Sequence, residues 1–403
     1  VTWLSNLVEE HSEFESPKSF WWWSALCSIS AVVKDNVWMD SYIFKVYPNI
    51  FVMLHADSGL KKGPPINLAR DLVRKVNNTK IISGRSSIQG ILWKLGHAQT
   101  RPGEKPNLKS NGFIVASEFS SSIVRDQSAL DILTDLYDRN YNSEEWESLL
   151  KQEQFNLKDP TVSMLVAINK AHFNDFIDAK DVHGGFLGRM FVVLETEVNR
   201  LNPLIKKPKY IPDRDKLAVY LKDVAKLRGP FESLENTEAG EMYDAWYMKF
   251  YETVIKQKIS DPTGTINRVG DSVKKVAMLI SMGDNLDLVV KSHHMEEAIE
   301  ICQGLLTSVK KTTLGKIGKE NASTNRKTIL INLLMDESSH SIARTRLLRD
   351  NWMHGDAIEW NESISSLEEA EMIQTEHPGG KQIVISMSDK QYEQMRTFLE
   401  AKR

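Results

Sequence analysis

The sequence predicts an α/β fold in which a central parallel sheet carries a phosphate-binding loop and is followed by a helical lid and a small C-terminal domain. Three observations predict it. An apolar run, Ile50 to Leu54, feeds a glycine-bearing turn and an amphipathic segment across His55 to Val73, the strand, turn and helix start that a phosphate loop needs. Gly112 to Glu118, Val162 to Asn169 and Met190 to Val193 are apolar runs of the kind a parallel sheet buries on both faces. From Asp213 to Lys310 the apolar spacing is helical throughout.

The 403 residues leave room for two or three domains of roughly 100–200 residues each. The expected division is an N-terminal helical segment at 1–48, a sheet-bearing core at 49–200, a helical lid at 213–311 and a C-terminal domain at 325–403. A hydrophobic fraction of 41% and a charged fraction of 26% are ordinary for a globular chain. The apolar run Ser24 to Val33 is too short to span a bilayer and the N-terminus lacks the pattern of a signal peptide, so no membrane partner and a cytoplasmic location are expected. Cys27 and Cys302 lie far apart, which fits core fillers in a reduced compartment. A net charge of -3 excludes a histone-like or coating protein and confines any nucleic-acid contact to local patches. The chain opens on Val1, as a processed or excised fragment would.

Trp3, Leu4, Leu7 and Val8 recur at helical spacing, and Ser16-Pro17 opens a second helix through Phe20 to Val33. Trp21-Trp22-Trp23 cannot share one helix face, so two readings stand: core packing, or contact of at least one indole with another domain, a subunit or a base. Val37 to Phe44 is a strand or hairpin, and Tyr47-Pro48-Asn49 turns the chain into the apolar run before the loop.

In that loop, backbone N–H groups at a helix N-terminus lack intrahelical partners and carry the positive end of the dipole, which suits polyphosphate. Against G-x-x-x-x-G-K-[ST], Ala56 and Lys61 stand at the glycine positions, Lys62 at the lysine and Gly63 at the hydroxyl that binds Mg²⁺. Gly59 stands where the related form G-x-x-G-x-x-K-S has a glycine, between Asp57-Ser58 and Leu60. Pro64 and Pro65 fit a first helical turn. A surface turn before a helix with two adjacent lysines is the competing reading.

Lys80 to Ser83 is a second strand, Ile88 to Leu95 a helix, and His97 to Asn111 an exposed polar loop with Arg101, Lys105 and Lys109. Gly112 to Glu118 is a buried strand ending in a carboxylate, the position from which P-loop enzymes polarise the attacking water. Ser117-Glu118 replaces the usual Asp-Glu pair, so Glu118 can orient water and Ser117 offers a hydroxyl. A strand running into a helix cap at Ser120 to Ser122 is the alternative. Asp131 to Leu150 is helical and Lys151 to Pro160 an inserted hairpin or loop. Val162 to Asn169 ends in an amide that can donate to a phosphate or position water. Arg189 sits between a glycine-rich turn and a last strand in Gly184 to Val193, either as a carboxylate's partner or where an arginine finger would sit.

Residues 199–214 have linker composition, and helices follow at Leu217 to Lys226, Leu234 to Ile259, Thr265 to Met282 and His293 to Lys310, with Arg268 opening the third. His293-His294 should face different directions and form no metal site. Thr312 to Asn325 is a second linker. The remainder has the rhythm of a winged helix: Arg326 to Leu334, Ser341 to Asn351, Glu359 to Met372, a turn at His377 to Gly380, a strand Lys381 to Met387 and a closing helix from Ser388. Its third helix carries Glu359, Glu362, Glu368, Glu369 and Glu371, which phosphates repel. That favours a protein contact over base readout, the basic face of Arg344, Arg346 and Arg349 notwithstanding, and counts against a repressor-like binder.

Taken in order, these segments resemble a ring-forming AAA+ ATPase, and more specifically the uncharacterised helicase- or primase-like P-loop proteins of phages and mobile elements, with the minichromosome-maintenance helicases more distant. A-D-S-G-L-K-K-G is similar to that helicase group's G-D-P-G-V-A-K-S, F-L-G-R-M-F to its L-L-S-R-F-D, and T-I-N-R to its second sensor. The resemblance implies ATP and Mg²⁺ as cofactors, with the Ala56 to Pro64 turn cradling the phosphates and Lys62 reaching the β- and γ-phosphates. It makes Glu118 the residue that polarises water, Asn169 the sensor of the γ-phosphate, Arg189 a finger into a neighbour's site and Arg268 a second sensor. It further implies a homo-hexameric ring acting on single-stranded DNA, through loops such as Gly96 to Asn111 and Lys151 to Pro160, with a replication partner protein. The departures fall at the metal: Gly63 replaces the hydroxyl and Ser117 the first acidic residue, leaving Ser117 as the nearest substitute ligand. An ATP-driven DNA helicase or translocase is therefore weighed against a non-hydrolysing scaffold, loader or adaptor. In either case the triphosphate is expected over the end of the sheet, with Glu118 on the strand edge adjacent to the loop.

Overall fold

The computed structural model describes residues 2–76, 79–84, 86–97, 109–119, 126–138, 145–150, 153–169, 173, 185–202, 212–256, 263–351, 354, 356–378 and 382–400. They fall into two compact units, Val1–Val309 and Lys310–Arg403. The first unit holds, in chain order, α1 (Trp3–Glu10), α2 (Lys18–Val33), β1 (Val37–Asp40), β2 (Lys45–Val46), β3 (Phe51–His55), α3 (Gly63–Val76), β4 (Lys80–Ser83), α4 (Ile88–Gly96) and β5 (Asn111–Ala116). It continues through α5 (Gln127–Asp138), β6 (Glu145–Leu150), β7 (Glu153–Lys158), β8 (Thr161–Ile168), β9 (Met190–Leu194), α6 (Arg214–Val224), β10 (Gly229–Pro230), α7 (Glu238–Lys256) and α8 (Thr265–Asp284). Helix α9 spans Ser292–Asp336.

Its centre is an α/β layer structure around a five-stranded, all-parallel sheet in the order β4-β5-β8-β3-β9, compatible with a P-loop-like fold. Both faces are covered, which is why the strands read as continuous apolar runs. Val52, Leu54, Val115, Leu165 and Val193 face a layer containing α1, α2, α3, α6 and α8. Phe51, Met53, Ile114, Met164 and Val192 face the opposite layer, with α4 and α5. Consecutive side chains along a strand thus serve different cores.

Helix α2 is apolar on every side because it is enclosed on every side. Only Lys18, Ser19 and Trp22 in it escape full burial. Two of its buried hydroxyls find partners inside: Ser28 Oγ donates to Ser24 O at 2.8 Å, and Ser30 and Ser163 of β8 share a hydrogen bond of 2.7 Å. Trp21 and Trp23 are core residues, and Trp22 packs against the same core, so the tryptophan run is spent on packing within this unit.

The sheet order corrects one expectation. Strand β8 lies between β3 and β5, with Leu54 paired to Ala167 and Val115 to Leu165. Glu118 therefore follows a strand two positions from the loop strand, and Asn169 follows the strand between them. The helix expected over Asp131 to Leu150 stops at Asp138, and 145–150 instead pairs antiparallel with 153–158. Phe155 and Leu157 of this hairpin are alternate residues of one strand, both buried in the same core as α4. The expected linker at Thr312 to Asn325 lies within α9, where its two glycines are insufficient to end the helix.

The second unit combines the end of α9 with β11 (Ser341–Ala343), α10 (Arg344–Asp350), α11 (Ala357–Glu369), β12 (Gln374–Glu376), β13 (Val384–Ser386) and α12 (Asp389–Glu400). Its antiparallel sheet runs β11-β13-β12, and Ser341 to Ala343 is strand where helix was expected. Trp360 is fully buried among Leu330, Leu334 and Leu347. Among the described residues no helix is long and apolar enough to cross a membrane. Arg101, Lys105, Ser120 to Ser122, Lys151, Gly184, the 203–211 part of the first linker and Gly379 to Lys381 lie outside the described residues.

Candidate functional site

The chain leaves β3 through His55, buried against Phe173 at 4.3 Å between ring centroids, and enters the Asp57–Leu60 turn. Gly59 takes φ +97°, a region closed to most side-chain-bearing residues, so this glycine is required by the turn. The turn is braced from outside the motif. Ser16 Oγ donates to Lys61 O at 2.8 Å, and Lys61 Nζ stands 3.4 Å from Glu15. Sequence reasoning missed both partners, because nothing in a short motif shows that a segment some 45 positions earlier reaches it.

Helix α3 then starts at Gly63. Pro64 and Pro65 occupy its first turn and have no N–H, so the free amides of this helix start are those of the loop, Gly63 and Ile66. Lys62 folds back over the turn and donates to Ala56 O at 2.6 Å and Asp57 O at 2.9 Å. Burial pulls its ammonium below the usual lysine range, and the Asp57 carboxylate partly opposes that shift. Backbone carbonyls thus hold a charge that a phosphate would hold better.

Across the mouth lie the ends of β5 and β8. Phe119 N donates to Ala167 O at 2.7 Å and pins Ser117-Glu118 to the carboxyl end of β8. Lys62, Gly63, Ser117, Glu118 and Asn169 line one open cleft together with Ser58 and Gly59. Of the other expected residues, Ala56 is buried beneath the turn, Leu60 packs against the core, and Asp57 and Pro64 are exposed beside it. Helices depart to opposite faces here, α3 to one layer and α5 to the other, the crevice at carboxyl strand ends where open parallel sheets bind ligands.

Arg189 and Arg268 are elsewhere. Arg189 precedes Met190, which pairs with Phe51 at the amino end of β3, so it stands about 16 Å of strand away from the loop side of the sheet. It is buried and doubly bonded to Asp138, with Nε to Oδ1 at 2.7 Å and Nη2 to Oδ2, and its Nη1 donates to Gly185 O at 2.7 Å. Arg268 Nη1 donates to Gly264 O at 3.2 Å. A Cβ added at Gly185 would meet Arg189 Nη1 at 2.9 Å and Arg268 Nη2 at 3.6 Å, so both guanidinium groups converge on that glycine. They line a second cleft with Ile43, Phe44, Asp138 and Lys275. Lys275 Nζ donates to Asn49 Oδ1 at 2.8 Å and sits 4.0 Å above the Tyr137 ring.

His293 and His294 correct another expectation, since both rings turn toward Asp284, with Nε2 to Oδ2 distances of 3.6 and 3.2 Å. Adjacent helical residues converge because Asp284 ends α8 beside the start of α9. Three ligand-type atoms lie close enough for a cation. The hydrogen bonds argue for a clamp instead: Lys291 N donates to His294 Nδ1 at 3.1 Å, which assigns the proton to Nε2, facing Asp284. Binding metal at Nε2 would move that proton to Nδ1, against the Lys291 N–H.

In comparisons with known proteins, no family model matches the chain and no curated protein is significantly similar to it.

Proposed function

We propose that the chain is an ATP-dependent, ring-forming DNA helicase or translocase of the AAA+ type, working in the replication module of a phage or mobile element. The observation that carries the reading is the separation of its charged residues. Lys62, Glu118 and Asn169 share a cleft at the carboxyl edge of the sheet, and Arg189 and Arg268 share another at the amino edge. A triphosphate fits the first cleft: the turn amides and Lys62 would hold its oxygens, Glu118 would orient water, and Asn169 would contact the γ-phosphate. Bound Mg²⁺ would neutralise charge on the phosphates, and the cleft offers it the Ser117 hydroxyl and the Glu118 carboxylate. Magnesium retains several waters in sites with few protein ligands, so this small set suffices.

The second unit supports the winged-helix part of the reading through its helix, strand, helix, helix, strand, strand order. The three arginines of its basic face are engaged within the unit: Arg346 with Glu337 at 2.9 Å, Arg349 with Asp350 at 3.0 Å, and Arg344 with Asn361 at 2.9 Å. This favours contact with a replication partner protein over base readout. Lys109, in a loop expected to contact DNA, is paired with Asp35 at 2.8 Å and Asp159 at 3.4 Å, which counts against it as a strand contact.

A second reading, a nucleotide-binding scaffold, loader or adaptor that does not hydrolyse, is favoured by Gly63 and Ser117, which together remove the two customary protein contacts to the metal. The test is ATP turnover with and without single-stranded DNA. The helicase reading expects turnover that DNA stimulates and that Lys62→Ala and Glu118→Gln reduce at least tenfold. Equal background rates in all three proteins would leave the scaffold reading in possession, provided a fluorescent ATP analogue still binds the parent chain.

A further inference from the structure

Ser16 lies in the turn between α1 and α2 and is only 1% exposed, yet it reaches the phosphate turn, where its Oγ donates to Lys61 O at 2.8 Å. Lys61 is the residue there that most needs holding. It adopts φ +50°, in the left-handed region that a lysine seldom enters without support. Its ammonium is held as well as its carbonyl, by the Glu15 carboxylate at 3.4 Å. Two adjacent residues of one distant turn therefore fix Lys61 at both ends.

The brace is itself anchored by the segment that follows β9. Asn199 N donates to Glu15 O at 2.9 Å and its Nδ2 to Ser12 O at 2.8 Å. Asn202 N donates to Glu15 Oε1 at 3.2 Å and its Nδ2 to Glu13 O at 3.0 Å. Where this segment begins, Glu195 N donates to His55 O at 3.0 Å and Glu195 Oε1 accepts from Ser19 Oγ at 2.5 Å. The network thus closes on β3, the strand from which the phosphate turn departs.

What the brace does to the turn follows from peptide geometry. In a trans peptide the carbonyl of one residue and the N–H of the next point in opposite directions. Ser16 draws the Lys61 carbonyl to its own side, so the Lys62 N–H is turned away from Ser16. Among the described residues that N–H has no hydrogen-bond acceptor. Lys61, Lys62 and Gly63 line the cleft, whereas Glu15 and Ser16 are not among the described residues of its wall. The brace therefore acts from behind the turn.

We propose that Ser16 is a positioning residue of the phosphate turn: by holding the Lys61 carbonyl outward it fixes left-handed Lys61 and presents the Lys62 N–H to an oxygen of the bound triphosphate. The proposal rests on the triphosphate reading above and names a residue outside the motif that sets the affinity of the same site. An amide fixed in advance binds an anion without the cost of ordering the turn at the moment of binding.

The test measures binding of a fluorescent, non-hydrolysable ATP analogue with Mg²⁺ to the parent chain, Ser16→Ala, Ser16→Thr and Lys62→Ala. Ser16→Ala should weaken binding about tenfold, the effect of misplacing one amide donor to an anion. Ser16→Thr keeps the hydroxyl and should stay within about threefold of the parent. Equal affinity in the parent and Ser16→Ala, with Lys62→Ala weakened, overturns the proposal and leaves the triphosphate reading standing. Affinity indifferent to Lys62→Ala removes that reading and the proposal with it.

A second readout separates positioning from general support of the fold. In chain carrying isotope-labelled lysine, the amide resonances of Lys61 and Lys62 are assigned by their loss in Lys61→Arg and Lys62→Arg. Ser16→Ala should move these two resonances in the ligand-free protein and reduce the further shift of Lys62 when the analogue is added, with lysines elsewhere unmoved. Shifts spread over lysines throughout the chain, or Lys61 and Lys62 resonances that stay in place, overturn the positioning role.

Discussion

At the amino edge of the sheet, Arg189, Lys275 and Lys80 are buried and their charged groups are held by nearby oxygens, including Asp138, Asn49 and the Leu95 carbonyl. At the carboxyl edge, Lys62 is half-buried and folded onto two carbonyls of its own loop, with Glu118 exposed across an open cleft. Helix polarity explains the difference. Helices that follow strands in a parallel sheet run back against them, so their C-termini and free carbonyls gather at the amino edge and their N-termini at the carboxyl edge. Lys80 Nζ caps the end of α4 at 2.6 Å, and Asn49 Nδ2 donates to the Tyr137 carbonyl at the end of α5 at 2.9 Å. The same polarity leaves the start of α3 at the Lys62–Glu118 cleft. One edge buries its cations in a closed network, and the other leaves Lys62 half-buried beside an open cleft.

That contrast is broken most directly by paired truncations. Arg189→Ala leaves Asp138 and the Gly185 carbonyl without their shared partner in a buried setting, and should cost about 3–5 kcal/mol in chemical denaturation. Lys62→Ala removes a side chain whose bonds are only to local carbonyls, and should change stability by less than about 0.5 kcal/mol. If the proposed function holds, a fluorescent ATP analogue should bind Lys62→Ala roughly 100-fold more weakly, about 2.7 kcal/mol. Similar stability losses in the two variants would abolish the distinction between the edges.

Much of the carboxyl edge was legible because its signals are local. Apolar runs gave β3, β5, β8 and β9 to within a residue or two, and Gly59, Lys62, Glu118 and Asn169 could be assigned to strand ends from spacing alone. Strand order was not legible, since it depends on how crossovers place β8 between β3 and β5 and no local pattern encodes that. At the amino edge the reading of Arg189 as a carboxylate's partner holds, but which carboxylate was not legible. Asp138 holds Arg189 across 51 positions and Asn49 holds Lys275 across 226, so neither pairing leaves a trace in neighbouring residues. Lys80 was placed in a strand, but nothing local marks it as a buried lysine, and the structure buries it completely.

Lys80 offers a smaller effect with a defined sign. Burial pulls its ammonium down to about 8 from the ordinary 10.5. Below pH 8 the lysine is charged in both folded and unfolded chains, and the folded state bears the full burial penalty. Between pH 8 and 10.5 the unfolded chain holds the proton more tightly, so this residue's contribution to stability rises with pH across that window. Lys80→Met keeps the buried stem and removes the charge. Relative to the parent, it should be more stable by roughly 1–3 kcal/mol at pH 7, with the advantage vanishing by about pH 10.5. A constant difference across the window would mean that the Leu95 carbonyl offsets the burial fully.

The smallest expected change probes the open edge by adding to it. A Cβ placed on Gly63 meets nothing within 4 Å, so Gly63→Ser fits without displacing the loop and puts a hydroxyl at the position from which P-loop proteins hold Mg²⁺. Serine at a helix start is also tolerated conformationally, which keeps stability near the parent value. If metal coordination by the chain limits turnover, Gly63→Ser should raise the Mg²⁺-dependent rate about three- to tenfold and lower the Mg²⁺ concentration at half-saturation. If Ser117 already supplies the needed hydroxyl, Gly63→Ser alone changes neither, whereas Ser117→Ala lowers the rate and Gly63→Ser restores it in the double variant. Indifference of turnover to both substitutions would mean that neither hydroxyl contributes to the metal site, whose ligands would then be phosphate oxygens and water.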